Sequence, residues 1–221
     1  MGYGSWWVTD LVQSQGPAAL VSWIVVVIGS IVLHELAHGW AAIRLGDDTP
    51  RWTGHMTWNP VVHLGTMSLV VFALIGIAWG AMPVDPSRLR GRWGAALVAL
   101  AGPAMNFVLG VIGVVLMVLF ARFGGAVAQP MNDNLAYFFS AMAFLNFVLM
   151  IFNLLPVYPL DGGRILGEIH PPFAAFAQSE NGQWVMLGGF MLAFFFAKDF
   201  IFGAAMFVVE LIASPLIALL S

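Results

Sequence analysis

His34, Glu35 and His38 stand within one stretch, "SIVLHELAHGW", that is otherwise almost wholly apolar. Histidines four positions apart leave the same face of a helix, about one turn from each other. Glu35 lies beside them, near enough to reach a metal-held water without being a ligand. H-E-x-x-H on a helix is a hydrolytic zinc arrangement, in which two neutral imidazoles bind Zn2+ and the glutamate takes a proton from water. A catalytic zinc also needs a third protein ligand and an open position. The motif therefore predicts another Asp, Glu or His from elsewhere in the chain.

Asp161, in "PVYPLDGGRILGEI", is the best candidate for that ligand. Pro156 and Pro159 interrupt the helix before it, and Gly162 and Gly163 permit a tight backbone approach. The competing reading is an Asp that caps the helix beginning at Gly162. Glu168, two turns on, is a weaker ligand candidate. Asn106, Asn146 and Asn153 are amides in apolar segments. Each could tie helices together or hold substrate, and Asn153 is the better placed of the last two because it precedes the break. His55, His63 and His170 fall in loops, where a solvated histidine is the ordinary reading. Glu210, alone in the last apolar stretch, is expected to face the bundle or pair with a neighbour.

The elements that must position these groups lie in a bilayer. Hydrophobic residues make up 61% of the 221 residues and charged ones 9%, with a mean hydropathy of +0.91; a soluble domain carries roughly a quarter of its residues charged. Three ionisable groups on one apolar turn then ask for a functional partner, because each is costly at membrane depth. The net charge of −3 and the lack of a basic run exclude nucleic acid as a partner. The absence of cysteine excludes disulfides, thiolate metal sites and cysteine nucleophiles. Residues 1–17 have no positive n-region and no alanine-type cleavage site, so no removable signal peptide is expected. Tyr3, Trp6 and Trp7 fit an interfacial belt.

A span needs about 20 mostly apolar residues. Residues 17–45, 95–120 and 135–155 meet that length, and 184–197 and 200–220 are two further apolar helices separated by Lys198 and Asp199. Residues 66–82 are apolar but short and broken by glycine. The fold class expected is an all-α polytopic membrane protein, with about five to six transmembrane helices and a short re-entrant or hairpin element after the first. One domain covers 1–221, with a core of about 18–170 and additional C-terminal helices at about 184–220. Residues 49–65 read as a hairpin or re-entrant loop shielded by protein.

Orientation follows the arginines. Arg44, Arg51, Arg88, Arg90, Arg92 and Arg164 share one side if 66–82 enters and leaves on that side, with Arg122 alone opposite. That places His38 and Asp161 near the cytoplasmic ends of their helices.

Four segments fall in order: "HELAH" at 34–38, "NPVVHLG" at 59–65, "AGPAMN" at 101–106 and "NLLPVYPLDGGRIL" at 153–166. Together they resemble the site-2 protease family of intramembrane zinc metalloproteases, in particular its compact branch without a PDZ domain. The resemblance implies one catalytic Zn2+ held by His34, His38 and Asp161, with Glu35 as general base. It implies substrate contacts for Asn106, and it matches His63 to a histidine of an N-P-x-x-H loop. That loop departs from the branch at Gly65, which stands where an aspartate is expected. The resemblance further implies transmembrane protein or peptide substrates, in a prokaryotic cell membrane, with the active site toward the cytoplasm. The rival readings are a metal transporter and an inactive scaffold. No repeated halves are visible to favour a transporter, and an intact Glu35 argues against decay.

Overall fold

The computed structural model describes residues 6–220, and all regular structure among them is helical. In hydrocarbon a spanning segment must satisfy its own backbone polar groups, which a helix does. Four helices are long and apolar enough to cross a membrane: α2 (Pro17–Arg44), α5 (Gly94–Phe123), α6 (Met131–Asn153) and α10 (Lys198–Leu220). The other two elements behind a count of five to six are the shorter α4 (Pro60–Ile75) and α9 (Glu180–Phe196). α1 (Trp7–Gln15), α3 (Thr49–Trp52), α7 (Asp161–Ile169) and α8 (Pro171–Gln178) complete the set among the described residues. Tyr3 lies outside them.

α5 and α6 pack along their length, α2 closes one side of the pair, and α10 closes the other. One apolar core joins α2, α4 and α6 through Val27, Ile31, Leu36, Leu64, Phe72 and Leu145. A second joins α5, α6 and α10 through Val114, Val118, Ala143, Phe147, Ala205 and Val209. The buried stripe of α10 is Ile201, Ala205, Val209 and Ala213, an i, i+4 series. Glu210 lies one position, about 100° of helix, off that stripe. It is exposed rather than turned to the bundle.

Residues 49–65 form no hairpin. Pro50 and Pro60 sit in the first turns of α3 and α4, where a fixed φ and a missing N–H suit a helix start. Asn59 caps α4 by accepting from the Val61 N–H. Gly65 interrupts α4 at φ 68°, ψ 166°, a conformation open to glycine; this is what the branch's aspartate position holds here. Past Ile75 the chain turns back as an extended segment, residues 77–85. Along it Ala81 N–H donates to the His63 carbonyl at 2.9 Å, and Trp79 N–H donates to Ser68 Oγ at 2.9 Å.

Farther on, Asp85 N–H donates to Asp47 Oδ2 at 2.7 Å, and Arg90 N–H donates to the Leu45 carbonyl at 2.8 Å. The excursion begins just after Arg44 and ends beside Leu45, so it re-enters at one end of α2 and does not cross. Its inner end is closed by α1. The Trp6 indole donates to the Ala73 and Leu74 carbonyls, and the Trp7 indole to Ala73. These are terminal acceptors that α4 itself leaves unpaired.

Candidate metal centre

His34, Glu35 and His38 lie on the buried face of α2 together with Ile31, Ala42 and Ser30. Asp161 is delivered by a fold-back. Residues 154–160 turn over the start of α7, so closely that a β-carbon on Gly162 would meet the Leu154 and Leu155 backbone, and one on Gly163 the Val157–Tyr158 backbone. Leu160, not Asp161, is the residue before the helix, and no side chain caps it. The capping reading of Asp161 therefore gives way: its carboxylate points at the histidines.

His34 Nε2 and His38 Nε2 are 3.0 Å apart. Asp161 Oδ2 lies 3.1 Å from the first and 3.4 Å from the second. All three side chains are buried. α5 fixes the far edges of both rings. His34 Nδ1–H donates to Asn106 Oδ1 at 2.6 Å, and His38 Nδ1–H donates to the Val98 carbonyl at 2.7 Å. With each proton held on Nδ1, both Nε2 atoms present lone pairs toward the same carboxylate oxygen. Three electron-rich atoms converging out of water form a site that can hold a metal ion, and two imidazoles with one carboxylate are a donor set suited to Zn2+.

Room for the ion comes from Gly102, midway between Val98 and Asn106 on that face of α5. A β-carbon there would lie on the Nε2 atoms of both histidines. Glu35 is buried beside the cluster but not among the converging ligand atoms. It forms no hydrogen bond or ion pair with the described residues. Gly80 of the extended segment passes directly over its carboxylate.

The centre opens on a cleft of about 1080 Å3, walled by residues 77–84, by α2 and α5, and by Phe190 and Phe194 of α9. Asn153 lines this cleft, with its amide nitrogen donated to the Leu149 carbonyl. Asn106 also borders it, but its amide is committed on both sides, to His34 and to Asn146. Glu168 lines the cleft without joining the ligand cluster. His63 is buried away from the cleft. Its Nε2–H donates to the Thr57 carbonyl at 2.7 Å, and its own carbonyl holds Ala81. His55 bonds within its own turn, to Thr53, and His170 caps α8.

Sequence reasoning passed over Val98, Gly102 and Gly80. The first two carried a signal in their spacing: 98, 102 and 106 are successive i, i+4 positions. Gly80 carried none.

The chain matches the description "Peptidase family M50" over residues 22–196. It is 38% identical over 160 residues to YwhC of Bacillus subtilis, whose name describes a zinc metalloprotease, covering 71% of this chain and 73% of that one. It is 31% identical over 196 residues to Rip2 of Mycolicibacterium smegmatis, similarly named, covering 83% and 71%. A third such relative, MJ0611 of Methanocaldococcus jannaschii, is 30% identical over 143 residues, 64% of this chain and 67% of the other. No solved structure matches at a significant level. With the histidine pair, the carboxylate and the bare glycine between them already in place, these likenesses have one meaning: the chain belongs to peptidase family M50, the site-2 protease family of zinc metalloproteases.

Proposed function

We propose that the protein is an intramembrane endopeptidase that hydrolyses peptide bonds within or next to transmembrane segments, with its centre near the cytoplasmic face. The observation that carries this reading is the convergence of His34 and His38, on the membrane-length helix α2, with Asp161 at the start of the short α7, and with Glu35 beside them. Zinc held there supplies Lewis-acid chemistry, polarising a peptide carbonyl and acidifying water. Glu35, unpaired and bordering the cleft, takes the proton from the attacking water as its oxygen bonds to the carbonyl carbon. It then gives that proton to the leaving nitrogen as the C–N bond breaks. His34 and His38 keep their Nδ1 protons on Asn106 and Val98 throughout, which holds both rings in place.

A helical substrate hides its peptide bonds in i→i−4 hydrogen bonds, so it must unwind to be cut. Residues 77–85 offer it an edge. Trp79 and Ala81 spend their main-chain groups on α4, and Gly80 and Met82 make no main-chain hydrogen bond to the described residues. Along an extended chain these groups alternate sides, so those of Gly80 and Met82 point away from α4. The substrate strand is therefore expected to lie beside 77–85. Single-span membrane proteins are the substrate class.

The test is cleavage of a single-span substrate by the purified chain in detergent with zinc. Glu35→Gln should retain zinc and lose cleavage. Cleavage at the wild-type rate by that variant would end this mechanism.

A further inference from the structure

Asn146 of α6 is fully buried between Leu145 and Phe147 and lies outside the cleft, so it does not meet substrate. Its amide nitrogen donates to the Met142 carbonyl at 2.9 Å. Its Oδ1 accepts from Asn106 Nδ2 at 3.0 Å, and Asn106 Oδ1 accepts from His34 Nδ1–H at 2.6 Å. Every bond in this series has its direction set by the one before. A main-chain carbonyl can only accept, so Asn146 must turn its nitrogen to Met142 and its oxygen to Asn106. Asn106 must then answer with its nitrogen, which leaves its oxygen facing His34. An oxygen there requires the His34 proton on Nδ1, and Nε2 is left with the lone pair a metal needs.

We infer that Asn146 is a positioning residue for the metal centre: through Asn106 it fixes the tautomer and ring orientation of His34. The inference rests on His34 being a zinc ligand. Asn106 alone does not secure this, because an asparagine amide can present either end to a ring nitrogen. Turned over, its nitrogen would face Nδ1, and the ring proton would be driven onto Nε2, in the ion's place. Asn146 removes that choice, since the turned-over amide would set two oxygens against each other. The relay also couples α6 to α5 and α2, which a single histidine–amide bond does not.

The experiment measures zinc affinity of the full chain in detergent, by competition with a chelating indicator, so its readout is independent of cleavage. Outer partners of metal ligands typically change affinity by about 10–100-fold. Asn146→Leu, which removes the acceptor for Asn106, should weaken zinc by about tenfold. Asn146→Asp keeps that acceptor and should recover most of the loss. Asn106→Leu should weaken zinc at least as much as Asn146→Leu, and adding Asn146→Leu to it should cost nothing further, because the second residue acts only through the first.

A general packing defect would instead add in both backgrounds, and additivity would overturn the relay. Asn146→Leu at wild-type affinity would overturn it as well. If Asn146→Leu is not recovered folded, Asn146→Ser, too short to reach Asn106, carries the same expectations. His34→Ala separates the two levels. If it leaves zinc binding unchanged, the ligand assignment falls and the relay with it; if it abolishes binding while Asn146→Leu does nothing, only the relay falls.

Discussion

Gly80 crosses Glu35 so closely that a β-carbon on it would sit 2.5 Å from Glu35 Oε1 and 2.6 Å from its Cγ. The extended segment thus bounds the position of the Glu35 carboxylate, although the two residues are far apart in sequence. Gly80→Ala must push the carboxylate or the segment aside. Small misplacements of a reacting group cost up to about 100-fold in rate. A fall in kcat of at least about tenfold is expected, with zinc stoichiometry unchanged, from parallel cleavage and metal analysis.

Gly102→Ala is expected to act on the metal instead. Its β-carbon would occupy the point where both imidazole Nε2 atoms converge, so the purified variant should carry little zinc. Metal analysis checks this, and far-UV circular dichroism should show the helices retained.

Removal of the metal gives a third expectation. A chelator should abolish cleavage, and zinc should restore it in the wild type. Asp161→Ala should fail to regain activity on zinc addition, because it removes one of the three converging donors. Full recovery by that variant would show that Asp161 is not a ligand.

Asp47 anchors the return of the re-entrant element. Burial pushes its carboxyl up. Hydrogen bonds from the Thr49 hydroxyl and N–H and from Asp85 N–H outweigh that and hold it below the ordinary value of 3.8. A carboxyl lowered in the folded state contributes stability that is present above its unfolded pKa and lost as pH falls through the folded one. The anchor should therefore be intact from neutral pH down to about 4. Amide-exchange protection of residues 77–90 should be flat over that range and fall only below it. Asp47→Ala leaves the Asp85 and Thr49 donors unpaired, at about 1–3 kcal/mol, and should speed exchange there at pH 7.

The sequence by itself determined the solvent and the chemistry. Composition forces helices, because lipid offers no partner to a free backbone group. The four-residue spacing puts His34 and His38 on one face whatever surrounds them, and the cost of charge in hydrocarbon makes a metal the natural partner for them. Only the tertiary structure decided that Asp161 turns to that face rather than capping α7, because the fold-back in which Gly162 and Gly163 meet the backbone of residues 154–158 is aimed at His34, 127 positions away. It likewise decided that 66–82 re-enters, since the bonds returning Asp85 and Arg90 to Asp47 and Leu45 join residues about 40 positions apart. Local pattern reports on neighbours one or two turns away. The bare surface at Gly102, the closeness of Gly80 to Glu35 and the exposure of Glu210 are set by which helix lies opposite, and no residue in the sequence carries that alone.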